Sequence, residues 1–125
     1  MNPAMGTVSG WTVELYRDPQ GRVPVAEFLA TLADVDHAAV TRMMTLLEKY
    51  GLQLRAPHVR AAKSHRKLWE LRIKRPSGAV RLFYFAHTSR RFVMLHAFWK
   101  KSQKTPRREL QIADRRLVEM MAREE

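Results

Sequence analysis

Apolar and polar positions follow two different spacings in the first half of the chain. Residues 11–16 alternate between apolar and polar side chains, which predicts a β-strand. From Pro24 onward, apolar side chains recur at i, i+3, i+4 and i+7, which predicts a helix that begins at this proline. A second helix follows, for which Asp34 or Asp36 is the expected cap and Gly51 the stop signal. The two helices are expected to form a hairpin against a sheet.

The second half of the chain contains three runs with the spacing of strands. Residues 68–75 and 79–86 each place alternate side chains on two faces, and short turns separate consecutive runs. Residues 91–99 are apolar on both faces, as in a central strand that is covered on both sides. Residues 52–66 are interpreted as a connecting segment that carries several basic side chains.

A last helix completes the pattern. Thr105 is expected to cap it and Pro106 to occupy its first position, after which apolar positions keep helical spacing to the end of the chain. The order strand, two helices, three strands, helix predicts an α+β fold, with a small, mainly antiparallel sheet flanked by an N-terminal helical hairpin and a C-terminal helix. We expect residues 1–10 to form a flexible lead, without the features of a signal peptide, and residues 11–125 to form one domain.

The positive charge of the chain is concentrated in its middle. The formal net charge is +11, and residues 55–108 carry sixteen Lys or Arg side chains but only one acidic side chain, Glu70. The segments before and after this region each carry a slight excess of acidic residues. Such a concentration of like charge costs free energy through self-repulsion and favours a polyanionic partner, above all a nucleic acid. The alternatives are an acidic protein partner and a basic surface that only aids solubility.

Composition excludes several classes of site. The chain has no cysteine, so it has neither disulfides nor thiolate metal sites, and a reducing cytoplasm suits it. No apolar run approaches the roughly 20 residues that span a bilayer. Because Glu70 is the only acidic residue in the basic region, the several carboxylates that a two-metal nuclease needs are missing there. We therefore expect no metal and no cofactor.

Three features of the basic region occur in a fixed order. They are the run Leu-Trp-Glu-Leu-Arg at residues 68–72, then Arg81, and then the run His-Ala-Phe-Trp-Lys-Lys-Ser-Gln-Lys-Thr-Pro at residues 96–106. Together with the order of the predicted elements, they resemble the HigB-like branch of the RelE/ParE toxin superfamily, which includes phage-derived host-killing proteins, over nearly the whole chain. Lys67 and Ala97 stand where that family often has glycine, and neither departure removes a reactive group.

The resemblance implies a RelE-like fold and the function of a toxin in a type II toxin–antitoxin system. Many members of the superfamily cleave messenger RNA on the translating ribosome, and a partner antitoxin, often with a helix-turn-helix domain, holds them inactive. The expected partners are therefore mRNA on the ribosome and a cognate antitoxin, with no membrane involved. A ParE-like toxin that inhibits DNA gyrase and an RNA-binding module without activity are the alternatives that the residues leave open.

The residues of the basic region could cleave RNA without metal, through attack of the RNA's own 2′-hydroxyl on the adjacent phosphate. This route needs a base for the hydroxyl proton, cations near the phosphate oxygens and an acid for the leaving 5′ oxygen. Arg81 is the expected principal clamp on the transition state, and Arg72 a supporting one. Lys100 and Lys101 are candidates for proton transfer or phosphate contact. His96 is a further candidate for the base, although a histidine in an apolar strand is more often a core residue.

Structural roles compete with these assignments. Arg72 could form a salt bridge with Glu70, two positions away on the same strand face. Arg81 could be a solvated strand residue, and the lysines could serve only to dock the protein on ribosomal RNA. Six further basic residues are expected to contact RNA: Lys63, Arg66, Lys67, Lys74, Lys104 and Arg107. The nuclease interpretation requires these cations to converge on one concave surface that can hold a bent RNA phosphodiester.

Overall fold

The computed structural model describes residues 9–62, 67–101 and 104–124. One sheet, a helical hairpin and a last helix make up this part of the chain. In chain order the elements are β1 (Thr12–Leu15), α1 (Pro24–Ala30), α2 (Asp34–Tyr50), a 3₁₀ turn (Gly51–Gln53), β2 (Val59–Ala61), β3 (Trp69–Arg75), β4 (Gly78–His87), β5 (Arg91–Lys100) and α3 (Arg107–Arg123). The α+β class and the predicted order of its elements are confirmed.

The described strands form a sheet with the order β1-β5-β4-β3-β2. β1 pairs with β5 in parallel, and the other neighbouring pairs are antiparallel, as predicted for a mainly antiparallel sheet. The short strand β2 is an addition to the predicted elements, because it lies inside the segment 52–66 that was interpreted as a connector. Three residues are too few to show an alternating pattern, and β2 is defined by its backbone pairing with β3.

Each face of the sheet has its own apolar core. On one side, which we call the hairpin face, Val80, Leu82 and Tyr84 pack with the side chains of α1 and α2. On the other side, which we call the α3 face, Phe83 and Phe85 pack against α3. The alternation predicted for β4 is therefore confirmed. β5 contributes side chains to both cores, as expected of a strand that is apolar on both faces.

A β-bulge in the pairing of β4 with β5 decides which side chains of β5 lie on which face. Two consecutive residues of β4 lie opposite His96 and Met94, so that Leu95 is an extra residue in β5. Before the bulge the odd-numbered residues of β5 belong to the α3 face, and after it the even-numbered residues do. The bulge therefore brings Lys100 onto the α3 face.

Both long helices begin without the side-chain caps that were predicted. α2 begins at Asp34 itself, so its N-cap is Ala33, and neither Asp34 nor Asp36 caps the helix. α3 begins one residue after Pro106, which is its N-cap, so Thr105 does not cap it. In both cases an extended backbone at the N-cap starts the helix without a hydrogen-bonding side chain. The two aspartates instead lie in the first turn of α2, where their negative charges interact favourably with the positive end of the helix dipole.

The last helix covers only part of the α3 face. It packs on β5 and the adjoining part of β4, and its buried side chains are Ala113, Leu117 and Met120. The residues of β3 on this face lie outside the apolar core, and all of them are charged. The arrangement leaves a charged area of the sheet next to the part that α3 covers. No helix in the described ranges is long and apolar enough to cross a membrane.

Candidate nucleic-acid interface

Two arginines lie directly opposite each other on neighbouring strands of the charged area. Arg72 of β3 and Arg81 of β4 are partners in the antiparallel register, so their side chains leave the sheet on the same side. That side is the α3 face, because Arg81 alternates along β4 with residues of the hairpin face. The tight turn between β3 and β4 maintains this register, and a shift by one residue would separate the two arginines. Arg72 and Arg81 therefore lie on the same face of the sheet, as they must if both are to contact one phosphate.

A buried carboxylate holds Arg81 in place. Glu70 Oε1 accepts a hydrogen bond from Arg81 Nη1 at 2.6 Å, and the two side chains are 3% and 8% exposed. The same oxygen accepts a second hydrogen bond from Arg60 Nε of β2 at 2.9 Å. The carboxylate therefore links β2, β3 and β4. Among the described residues, the ion-pair partners of Glu70 are Arg60 and Arg81, and not Arg72.

Both central arginines retain an unused hydrogen-bond donor. The Nε atoms of Arg72 and Arg81 are buried, and neither has a hydrogen-bond partner among the described residues. A buried donor without a partner is costly, so such atoms call for an explanation. A ligand with several negatively charged oxygens, such as a phosphodiester, could accept hydrogen bonds from both side chains.

Lys100 adds a cation from the end of β5. It lies opposite Ala79 on the α3 face, diagonally from Arg81, and Cα atoms in such diagonal positions are typically about 7–8 Å apart. The residue is 6% exposed. Burial lowers the pKa of Lys100, and the charge of Arg81 lowers it further, while Glu70 raises it. A lysine in this environment gives up its proton more readily than an exposed lysine does, which suits proton transfer.

Positive charge exceeds negative charge around the carboxylate of Glu70. Arg60, Arg72, Arg81 and Lys100 surround the carboxylate of Glu70, and we call these five residues the charged cluster. Burial lowers the pKa of Arg81, Glu70 opposes this effect, and Arg72 and Arg60 add to it. Four positive charges and one negative charge give the cluster a net charge of +3, and this excess favours binding of a polyanion.

A groove of about 510 Å³ opens beside the charged cluster. Arg72 and Arg81 line it together with Lys74 and Arg75 of β3, and the groove continues around the edge of β3 to α2. At that end Arg75 forms an ion pair with Asp36 of α2 at 2.8 Å. The lysine of the charged cluster is not part of the groove lining. The concave surface therefore involves the two central arginines and β3, rather than all the cations that were expected there.

His96 lies on the α3 face but is engaged by α3. Its Nε2 atom is 2.7 Å from Glu109 Oε1, and Arg116 Nη1 lies 3.3 Å from its Nδ1. Because an arginine can only donate, Nδ1 is the acceptor, and Nε2 carries the proton that is donated to Glu109. Burial lowers the pKa of His96 against the opposing effect of the hydrogen bond with Glu109. Both ring nitrogens of His96 therefore have partners on α3. The residue holds α3 to the sheet and has no free nitrogen that could act as a base.

The other predicted RNA contacts are spread over the surface. Lys74 is exposed on the α3 face, in the same strand as Arg72. Four more residues are exposed: Lys67, Lys101, Lys104 and Arg107. Lys63 and Arg66 lie outside the described residues. Within the described part of the chain, no group of three or more His, Asp or Glu side chains could hold a metal ion.

Two parts of the site could not be recognised from local sequence patterns. Arg60 was not expected because its strand, β2, was not predicted. The bond between Glu70 and Arg81 depends on the register, since the residue directly opposite Glu70 is Phe83. One signal did point to it: a single carboxylate within a strongly basic region is expected to be paired, because a buried charge without a partner is very costly.

The layers of the fold and the charged cluster define a small α+β protein with a cationic area on its sheet. The family model described as phage-derived protein Gp49-like (DUF891) matches residues 27–118. The chain therefore belongs to the Gp49-like family. The matched range contains α2, strands β2 to β5 and all members of the charged cluster. No curated protein matches the chain.

Proposed function

We propose that this member of the Gp49-like family is the toxin of a type II toxin–antitoxin pair of the HigB-like branch, and that it cleaves RNA. The observation that carries the proposal is that Arg72, Arg81 and Lys100 share one face of the sheet around a buried carboxylate. Phosphate recognition and metal-free RNA cleavage both need such a set of cations. A gyrase inhibitor does not need it, so the cluster favours the nuclease over that alternative.

Arg72 is the proposed main contact with the phosphate. Its side chain is partly exposed, lines the groove and carries an Nε donor without a described partner. A guanidinium group can bind two phosphate oxygens through parallel hydrogen bonds. Arg81 was expected to be the principal clamp, but one of its nitrogens donates a hydrogen bond to Glu70 at 2.6 Å, so this part of the guanidinium is already occupied. We therefore assign Arg81 a supporting role, in which its charge stabilises negative charge that develops on the phosphate.

Lys100 is the proposed base. In its neutral form, the amine takes the proton of the RNA 2′-hydroxyl while the 2′ oxygen forms a bond to the adjacent phosphorus. The bond between phosphorus and the 5′ oxygen breaks, and this oxygen leaves with a proton from a cationic group, for which Lys101 is our candidate. The products are a 2′,3′-cyclic phosphate and a 5′-hydroxyl end, and no metal takes part in this route.

The proposed substrate is messenger RNA on the translating ribosome, and the proposed inhibitor is a cognate antitoxin with a helix-turn-helix domain. The excess positive charge of residues 55–108 suits the RNA surroundings of a ribosome. The unmatched positive charge of the charged cluster suits an antitoxin that carries an acidic segment. The adjacent reading frame should encode a small protein with such a segment, and an isolated gene would argue against the toxin proposal.

Mapping of transcript ends after induction of the chain tests the proposal. We expect growth arrest together with new 5′ ends inside translated regions of messenger RNAs. Arg72→Ala and Lys100→Met should each abolish the new ends. Arg115→Ala is the matched control, because it removes one exposed positive charge of α3 that is not part of the charged cluster, and it should leave the cleavage pattern unchanged.

Three outcomes would contradict the proposal in different ways. Intact transcripts with blocked DNA supercoiling would indicate a gyrase inhibitor. Intact transcripts with normal supercoiling and growth would indicate a binding module without activity. Cleavage that persists in folded Arg72→Ala and Lys100→Met variants would exclude the charged cluster from the mechanism.

A further inference from the structure

We propose that Glu70 is a positioning residue of the cleavage site, an inference that rests on the proposed function. Its carboxylate holds Arg81 in place and adjusts the electrostatic environment of Lys100. It does so without touching RNA and without exchanging a proton. No pattern in the sequence assigned Glu70 a functional role, and the inference comes from its contacts in the folded chain.

The position of Glu70 on β3 places it among the cations of the cluster. Its Oε1 atom accepts hydrogen bonds from Arg81 Nη1 at 2.6 Å and from Arg60 Nε at 2.9 Å. Arg60 lies directly opposite on β2, whereas Arg81 lies diagonally on β4. One carboxylate oxygen therefore bridges three strands, and Glu70 is 3% exposed. Because the side chain is enclosed in this way, its effect on cleavage must pass through its partners.

The carboxylate is the one negative charge of the charged cluster. Without it, the buried guanidinium of Arg81 would lose its counter-charge, which is costly. Burial and the charge of Arg81 lower the pKa of Lys100, and Glu70 is the group that raises it. The charges of Arg60 on β2 and Arg72 on β3 lower this pKa as well. Glu70 therefore limits how far the pKa of Lys100 falls, and so influences the pH at which the amine becomes neutral and can act as a base.

A purely structural salt bridge would behave differently from a positioning residue. Its loss would reduce stability and cleavage at every pH to a similar extent. Loss of a positioning carboxylate must in addition shift the pH dependence of cleavage, because that dependence follows Lys100. Removal of the Arg60 charge should shift the pH dependence in the opposite direction. Arg60 bonds to the same oxygen of Glu70, but its own charge lowers the pKa of Lys100.

The test compares Glu70→Gln with Arg60→Met in the full chain. Single-turnover cleavage of ribosome-bound messenger RNA is measured across pH, and the titration of the Lys100 amine is followed by NMR in the same proteins without RNA. Glutamine keeps an acceptor oxygen for Arg81 but removes the charge. We expect Glu70→Gln to move both the rising limb of the cleavage profile and the Lys100 titration to lower pH, by about 0.5–1 unit. Arg60→Met should move both to higher pH.

The outcomes separate this inference from the proposed function. Cleavage by the unchanged chain, with the same pH profile in both variants, would overturn the role of Glu70 and leave the proposed function in place. Loss of cleavage at every pH in Glu70→Gln, with an unmoved Lys100 titration, would also overturn it. No cleavage by the unchanged chain would overturn both proposals. If Glu70→Gln does not fold, the double variant Glu70→Gln/Arg60→Met is compared with Arg60→Met, and an equal pH for the rising limb in the two counts against the inference.

Discussion

Arg72 and Arg81 face each other across β3 and β4, but only Arg81 is anchored by a carboxylate. Arg81 shares a buried ion pair with Glu70, whereas Arg72 is partly exposed and has no ion pair among the described residues. Two residues that look equivalent in the strand pattern therefore differ in what they contribute. One mainly stabilises the sheet, and the other is available to a ligand.

Arg81→Ala should destabilise the fold more than Arg72→Ala. Breaking a buried ion pair by removing one partner typically costs about 3–5 kcal/mol when the other charge is left uncompensated. Glu70 keeps the more exposed Arg60 as a partner, so the loss should lie toward the lower end of this range. Loss of the partly exposed Arg72 should cost about 1 kcal/mol or less. Urea denaturation of the two variants measures the difference in the free energy of unfolding. Equal losses would contradict the unequal anchoring of the two arginines.

Arg72→Ala should weaken RNA binding and make it less sensitive to salt. A lost phosphate contact reduces the slope of log affinity against log salt concentration by about 1. Titration of a messenger RNA fragment at several salt concentrations measures this slope. Arg115→Ala serves as the control for general loss of charge. A slope that falls in the control and not in Arg72→Ala would indicate that α3, and not the charged cluster, binds the RNA.

RNA cleavage should increase with pH as Lys100 loses its proton. Only the neutral amine can accept the 2′-hydroxyl proton, and the pKa of Lys100 lies below the usual value of 10.5 because of burial and the charge of Arg81. The single-turnover rate should therefore rise at a lower pH than an ordinary lysine would allow, and Lys100→Met should lack this rise. A rate that falls as Lys100 deprotonates would instead make this residue a phosphate contact.

His96 should make the fold less stable in acid. Burial holds the pKa of His96 below the usual value of 6.5. As the pH falls through 6.5 toward the lowered folded-state pKa, the unfolded chain takes up a proton that the folded chain does not, so stability is lost. The free energy of unfolding at about pH 7.5 and about pH 5.5 measures this loss.

His96→Gln separates this structural role from catalysis. Glutamine can donate to Glu109 and accept from Arg116, as the neutral histidine does. The variant should therefore fold, lose most of the acid dependence and still cleave RNA. A folded His96→Gln variant without cleavage would support the histidine as the general base.

Sequence patterns predicted the elements that are long enough to show a period. Pro24 begins α1 as expected, and Gly51, with a φ of 58°, ends α2. The faces of β4 were predicted because its side chains alternate over a full strand. β2 was not predicted, because a three-residue strand has no period and depends on its partner. The predicted caps of α2 and α3 were wrong, because an extended backbone at the N-cap replaced the expected capping side chains.

The candidate site was predictable only in part. A short turn between two alternating strands was enough to suggest that Arg72 and Arg81 meet. The burial of Arg81 and its bond with Glu70 depend on how three strands are aligned, which no local pattern encodes. Lys100 was expected near the arginines from its place in the chain, but the reason that it faces them is the irregular pairing of β5.

That irregularity makes the chemistry depend on how β5 is paired as well as on its composition. In a strand of the same length with regular pairing, the residues after Leu95 would turn to the opposite side of the sheet, and Lys100 would point toward the helical hairpin although every reactive side chain was still encoded. Deletion of Leu95 removes only the extra residue, so Lys100 should stay opposite Ala79. The orientation of the proposed base is therefore fixed by backbone pairing rather than by the identity of any reactive residue.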